Sequence, residues 1–491
     1  MALRRFAVDV AALTAARVLQ TVASFLAIPI LARLLGPADF GLIAMASTFV
    51  VFTMVMSDAG LGQTLVRVPA RERDVWSSAF WFIALIGAGL AIFLAIIAAP
   101  IAWLMQESRL TPVILALAPL PLVQALVAPG LADLQQRERF RHLASAELAG
   151  SISGVAAAIG FALAGFGVWA LVSQQLVYWL VKASIVTFSS TFRPALMMRM
   201  SVLGPHIAFG RDTAALGIVA FFQRQMDPLV IGRLLGTVPV GLFSVAGRIA
   251  SLPQQFLSMP LQNALFTRMV MLRNDKEALT RLLMASAWMV AAIVFPGMAV
   301  GAAAAEAYFR FFLSDKWADA AIIFSFTAPT MAFQAVMILC GTMLLAIGAT
   351  GRRLRLNVEF TIVWLTVLPL AALHSIEAVA LSYAVAYALY SIRSYPLFLE
   401  PVGCTAGTFF RVLAAPILVA ATAAGVHLGV RSLWPMNPGP EVLVSFVVLL
   451  TAWALLAYIE RGKVAERIDV FRTVLAQRHI DQSPQPEESR A

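Results

Sequence analysis

Residues 33–42 read RLLGPADFGL, and residues 233–242 read RLLGTVPVGL. Arg33, Leu34, Leu35, Gly36, Gly41 and Leu42 recur in register, and the same offset carries Ala46 onto Ala246, Leu61 onto Leu261 and Leu65 onto Leu265. Such a repeat is either a site used twice or the seam of a duplicated scaffold. The local chemistry favours the seam. An arginine in a last turn complements the helix dipole, Gly36 suits the left-handed position that ends a helix, Pro37 follows it, and Gly41-Leu42 begins the next apolar run. The stretch therefore reads as a hairpin between two helices, met twice.

Composition says where those helices lie. Of 491 residues, 60% are hydrophobic and 13% charged, and the mean hydropathy is +0.85, far from the balance of a soluble domain. The chain reads as an all-α polytopic membrane protein. Thirty-six Lys and Arg against twenty-six Asp and Glu leave a formal charge of +10, which in this setting points to the inner membrane surface, where loops collect Lys and Arg, and not to nucleic acid. Cys340 and Cys404 are too few for a disulfide framework or metal cluster. No cofactor or metal site is expected. The basic start MALRRF precedes an apolar run with no cleavage signal after it, so it reads as a retained first helix.

A spanning helix needs about 20 mostly apolar residues. That rule marks about fourteen spans, near 10–33, 40–62, 76–103, 110–132, 143–165, 168–190, 205–232, 239–262, 279–304, 320–346, 356–373, 377–399, 408–430 and 441–459. The connections RVPARERD (67–74), QQRERFRH (135–142), LRNDKE (272–277) and GRRLR (351–355) are basic, whereas GFG (165–167) and HSIE (374–377) lack Lys and Arg. The positive-inside rule then puts both termini in the cytoplasm. The two RLLG copies fall six crossings apart, at the outer ends of helices one and seven, so equivalent helices run in the same direction. This gives two parallel six-helix repeats about a pseudo-two-fold along the membrane normal. The expected organisation is a lobe over 1–200, a second over 201–402, two additional helices over 403–460 and a polar cytoplasmic tail over 461–491.

Ionisable groups inside spans are the informative residues, since a charge near the bilayer centre costs at least about 2.5–3.5 kcal/mol and is usually aimed at a cavity or a partner. They are Arg17, Asp58, Glu147, Lys182, Arg211, Asp212, Arg224, Asp227, Arg248 and Glu359. Arg17 corresponds to Gly217, which precedes Arg224 by about two helical turns, so the two arginines share a face of equivalent helices at different depths. That face is expected to line a basic central cavity, with Gln20, Gln63, Gln174, Gln175, Gln223, Gln225, Gln254 and Gln255 as polar lining. Arginine suits phosphate, and amides suit sugar hydroxyls. The other reading pairs Arg224 with Asp227 on one helix and lets Asp58, Glu147, Lys182 and Glu359 reach the inner surface. Prolines at 119, 121, 129, 253, 260 and 329 could hinge their helices or simply be housed in them. A GxxxxGK[ST] loop and an HExxH pair are both missing from the sequence, and EAYFRFFLSDKW (306–317), the longest outer segment, is a poor catalytic platform.

ARLLGPADFGLIAMASTFVVFTMVMSDAGLGQTLVR (32–67) and MDPLVIGRLLGTVPVGLFSVAGRIASLP (226–253) resemble the bacterial polysaccharide exporters of the Wzx/WzxC type, in the multidrug/oligosaccharidyl-lipid/polysaccharide exporter superfamily. One departure is Phe266-Thr267, where relatives often carry Phe-Pro. The resemblance implies a non-enzymatic inner-membrane flippase with two six-helix lobes. It would carry an undecaprenyl-diphosphate-linked oligosaccharide, an exopolysaccharide or O-antigen unit, to the periplasmic leaflet by alternating access. By position it implies a basic lining of Arg17, Arg211, Arg224 and Arg248 and places Asp58 in the family's helix-two D-x-G-L segment; Gln20 and Gln225 are the candidate amides beside that lining, and Asp58 and Asp227 the candidate coupling or gating groups. Implied partners are the lipid-linked oligosaccharide, membrane lipids, and a polymerase and glycosyltransferases of the same pathway. The alternatives are a cation-coupled drug exporter, for which an acidic cavity is expected, and a membrane-bound polymerase or glycosyltransferase.

Overall fold

The computed structural model describes residues 19–20, 22–23, 25–58, 61–66, 68, 72–204, 217–218, 221–222, 225–463 and 467. Among them all regular structure is helical, and ten helices are long and apolar enough to cross a membrane. Two compact units form. One comprises the described parts of Met1–Val245 with Phe312–Trp317 and Leu368–Ile376; the other comprises Ala246–Phe311, Ala318–Val367 and the described parts of Glu377–Ala491.

The repeat that opens the sequence is a packing device in the first unit. Helix Pro37–Asp58 and helix Thr237–Ala250 each begin on the residue after the RLLG glycine. They touch at Gly41 and Gly241. A Cβ built on Gly41 would sit 1.7 Å from the Thr237 carbonyl oxygen, and one built on Gly241 would sit 1.8 Å from that of Pro37. Only glycine allows this reciprocal backbone contact. The repeated apolar positions Leu42, Leu242, Ala46, Ala246, Leu65 and Leu265 are all buried. The Trp317 indole N–H donates to the Ala32 carbonyl at 2.8 Å, and its ring meets Phe40 edge-on at 5.2 Å. Arg33 Nε donates to the Phe312 carbonyl at 3.0 Å, so the first RLLG copy also anchors residues 312–317.

The expected left-handed Gly36 is corrected. Gly36 is not among the residues of positive φ, whereas Gly236 is, at φ +91° and ψ −176°. In the first copy Asp39 supplies the missing local bond, its carboxylate accepting the Gly36 N–H at 3.2 Å. The second copy has Pro239 at that position and turns through a conformation open only to glycine.

Two expected single helices are interrupted. The span placed at 110–132 forms Leu110–Leu117 and Leu120–Gln136 on either side of Pro119. The span placed at 205–232 is broken at Met226, after which Asp227 opens helix Asp227–Leu235 with Pro228 behind it. Pro129 and Pro329, by contrast, sit inside continuous helices. Proline removes one backbone bond, and only some sites turn that loss into a break.

Helices Phe140–Leu163 and Trp169–Ser189 form a tight antiparallel pair. Gly150 and Gly154 let it close, because a Cβ on either would lie within 3 Å of the Tyr178 or Gln174 carbonyl oxygen. Small residues four apart are what bring helices together where lipid offers no hydrophobic drive. Gly217, the counterpart of Arg17, plays a similar part in the first unit: a Cβ there would meet Val55 Cγ1 at 2.8 Å.

Candidate functional site

The intramembrane charges that the structure describes fall into two kinds. Glu147 and Lys182, expected to reach the inner surface, instead meet each other. Lys182 Nζ donates to Glu147 Oε1 at 2.6 Å, and the Tyr178 hydroxyl donates to Oε2 at 2.6 Å. The ammonium also lies 4.9 Å from the centre of the Trp179 ring. This cluster is satisfied from within and has a structural role. Glu359 is likewise held, by Arg355 on its own helix and by Arg393 on the next, each at 3.0 Å.

Arg248 belongs to the second kind. It is exposed near the end of helix Thr237–Ala250 and starts a polar stripe along the chain that follows. The Ser251 hydroxyl donates to the Arg248 carbonyl at 2.8 Å, and Gln255 Nε2 donates to the Ser251 hydroxyl at 3.0 Å. Spacings of three and seven keep Arg248, Ser251 and Gln255 on one side. Pro253 then deprives the helix of an N–H, and residues Gln254–Ser258 widen into a π-helix before helix Met259–Met271. A π-turn inserts one residue into the spiral and redirects its neighbours, a distortion often found at working sites.

The redirected Gln254 opens a chain of hydrogen bonds in the second unit. Its Nε2 donates to Gln334 Oε1 at 3.1 Å, and Gln334 Nε2 donates to the Tyr383 hydroxyl at 2.7 Å. Tyr383 packs edge-on against Trp364 at 4.9 Å, beside Phe360, Tyr387 and Tyr390. The Tyr390 hydroxyl donates to Asn357 Oδ1 at 3.3 Å. Helices 320–346, 350–372 and 376–399 thus present amides and phenols among aromatic faces. Amides both donate and accept, and aromatic rings offer flat apolar surface with a polar tip, a combination suited to hydroxyl-rich ligands.

Arg17, Arg211 and Arg224 lie outside the described residues, as does the side chain of Asp58. Gln20 and Gln225 are half-buried helical residues. Asp227 stands at a helix N-terminus, where a carboxylate complements the dipole. The structure therefore places Arg248 and Gln255 on one side of the chain and ties the neighbouring Gln254 to Gln334. Sequence reasoning missed Gln334 and Tyr383. The signal available was a lone amide in the apolar run MAFQAVMIL (331–339), passed over because only ionisable groups and other glutamines were weighed. Among the described residues no three His, Cys, Asp or Glu are placed to hold a metal.

A model of the family described as "Polysaccharide biosynthesis protein" matches residues 30–322. The succinoglycan biosynthesis transport protein ExoT of Rhizobium meliloti is 31% identical over 299 residues, 60% of each chain. The lipopolysaccharide biosynthesis protein WzxC of Escherichia coli is 20% identical over 422 residues, 81% of this chain and 83% of that one. Among solved structures, the lipid II flippase MurJ in an inward closed conformation superposes with a TM-score of 0.74 at 14% identity, covering 93% of this chain and 99% of that one. An inward-facing MATE-family multidrug transporter gives 0.59 at 14% identity, over 78% and 94%. At such identities the likeness is one of fold. The activities named among these proteins are transport and flipping.

Proposed function

The chain belongs to the Polysaccharide biosynthesis protein family, and from that premise we propose that it is an inner-membrane flippase for an undecaprenyl-diphosphate-linked oligosaccharide. The cargo moves from the cytoplasmic to the periplasmic leaflet, and both termini are cytoplasmic. One observation carries the reading: Arg248 stands exposed on a stripe with Ser251 and Gln255, and the neighbouring Gln254 donates to Gln334, which donates to Tyr383. Arginine offers a planar fork of donors to a diphosphate, and amides with aromatic faces accommodate the sugars. A cationic drug would call for the opposite sign.

The lobes are residues 1–200 and 201–402, with 403–460 added and 461–491 as a tail. Arg17, Arg211 and Arg224 extend the basic lining from Arg248, with Gln20 and Gln225 beside them, and Asp58 and Asp227 gate or couple the cycle. The Gly41–Gly241 crossing seals the end that the positive-inside rule puts outside, and alternating access requires it to part. A pathway polymerase and glycosyltransferases supply and consume the cargo. The test is export of polysaccharide by cells carrying Arg17→Ala or Arg224→Ala in place of the native chain. Loss of export with the protein still in the membrane is expected, and full export by both variants contradicts the basic lining.

A further inference from the structure

An apolar groove of about 620 Å³ lies in the first unit between helices Arg73–Met105 and Leu120–Gln136 and the loop 190–199. Trp81 and Ala88 line it from the first helix, Leu122 and Leu126 from the second, and Leu196 and Met198 from the loop. The two helices close on each other at Gly87, where a Cβ would stand 2.5 Å from that of Ala125. Three hydrogen bonds hold the loop across the first helix. The Ala195 N–H donates to Ser77 Oγ at 3.1 Å, the Arg199 N–H to Ser78 Oγ at 2.9 Å, and the Trp81 indole N–H to the Ala195 carbonyl at 2.8 Å. Earlier in the loop the Phe192 ring lies 5.5 Å from that of Trp76. Leu196 is nonetheless 92% exposed. A loop bonded at both ends of this stretch holds that leucine outward as a wall of the groove, where it needs an apolar neighbour.

The surroundings say what that neighbour is. Arg73–Met105 and Leu110–Gln136 are both long and apolar enough to cross a membrane, so the groove opens towards lipid. A flat helical face touches acyl chains in passing, whereas a groove walled on three sides surrounds one chain and buries more of it. The volume is that of a pocket for one small molecule, enough for an acyl chain and short of a long polyprenyl tail. Charge beside the loop narrows the headgroup. Arg199, next to Met198, gives Nη1 to Asp74 Oδ2 at 2.8 Å. Arg193 gives Nη1 to the carbonyls of Ser190 and Phe192, at 2.8 Å each. Both side chains are exposed, and a guanidinium carries five N–H groups, so each keeps donors for an anion.

We propose that this groove holds one acyl chain of an anionic phospholipid and that the lipid's phosphate meets Arg199, in a positive field to which Arg193 adds. The site is separate from the Arg248 stripe and does not depend on the translocation reading.

The purified full chain in detergent is titrated with phosphatidylglycerol and phosphatidylcholine carrying the same brominated acyl chains. Quenching of Trp81 is read as the difference between the native chain and Trp81→Phe. A single saturable site is expected, with phosphatidylglycerol bound at least about fivefold more tightly, the worth of one arginine near an anionic headgroup. Equal affinities, or quenching that rises without saturation, overturn the proposal, and neither outcome needs an altered groove. Ala88→Phe, which fills the groove, is expected to weaken binding at least about tenfold, whereas Ile96→Phe, at an exposed position of the same helix, leaves it unchanged. Binding that survives Ala88→Phe also overturns the proposal. Arg199→Gln is expected to erase most of the preference for phosphatidylglycerol; a preference kept in full places the headgroup elsewhere and refutes the assignment. A polyprenyl phosphate that displaces the brominated lipid as well as phosphatidylglycerol does would show a cargo tail in the groove and refute a phospholipid occupant.

Discussion

Thr48, Val51, Met54 and Val55 in the first copy of the repeat stand where the second copy has Arg248, Ser251, Gln254 and Gln255. Thr48 is fully buried and spends its hydroxyl on the Ala44 carbonyl of its own helix at 2.9 Å. Val55 packs towards Gly217. In the second copy the same positions carry the exposed arginine, the stripe and the glutamine that reaches Gln334. Of the residues the copies share, Gly41 and Gly241 touch, and the apolar positions Leu42, Leu242, Ala46, Ala246, Leu65 and Leu265 are buried. The two copies thus share the contact and differ along the rest of the helix. Identity between repeats marks the scaffold, and chemical difference between them marks the candidate site.

The sharpest way to break this comparison is to fill the crossing. Gly41→Leu or Gly241→Leu places a side chain on a backbone oxygen within 2 Å, and neither partner is a flexible chain end. Overpacking beyond the usual cost of about 1–3 kcal/mol is expected, with loss of folded protein by size exclusion in detergent and loss of export. A well-folded, active Gly41→Leu protein would show that the crossing is not a tight contact.

A smaller effect separates the two turns. Gly236→Ala is expected to cost about 1–3 kcal/mol, seen as a lowered thermal midpoint, because the substituted residue must hold φ near +91°. Gly36→Ala meets nothing closer than the Asp39 carboxylate at 4.0 Å and is expected to stay within about 0.5 kcal/mol of the native protein. Equal losses would mean that the copies turn alike. Smallest is the amide contact. Gln254→Met restores the first copy's residue, and a double-mutant cycle with Gln334→Met is expected to show a coupling of about 0.5–1.5 kcal/mol in thermal stability. A coupling near zero would remove the link between Gln254 and the aromatic helices.

How much of this was legible depended on the kind of signal. Hydrophobic runs marked the helices because a membrane span is long and its pattern simple. The repeat marked the hairpins, and cap chemistry identified them as helix junctions. The sequence could not reveal that the second glycine of each copy touches its counterpart, since an offset of two hundred residues says nothing of distance. It also misjudged Gly36, where Asp39 supplies a bond that made the left-handed turn unnecessary. Of the site, Arg248, Gln254 and Gln255 were visible as polar residues in an apolar span. Gln334 and Tyr383 were not, because a single amide and a phenol are ordinary in membrane helices until a partner is placed opposite. Glu147 and Lys182 were seen as charges but not as a pair, being thirty-five residues apart on neighbouring helices.

The central claim is that the polar residues peculiar to the second copy carry an anionic saccharide lipid across the membrane. Vesicles holding the purified chain and an undecaprenyl-diphosphate-linked oligosaccharide on the inner leaflet, probed from outside with a lectin, test it directly. The account predicts that the native chain exposes the oligosaccharide and that Arg248→Ala, folded and reconstituted to the same level, slows its appearance at least about tenfold, the loss of one charged hydrogen-bonding group. Exposure no faster than in protein-free vesicles, or equally fast with Arg248→Ala, would contradict it.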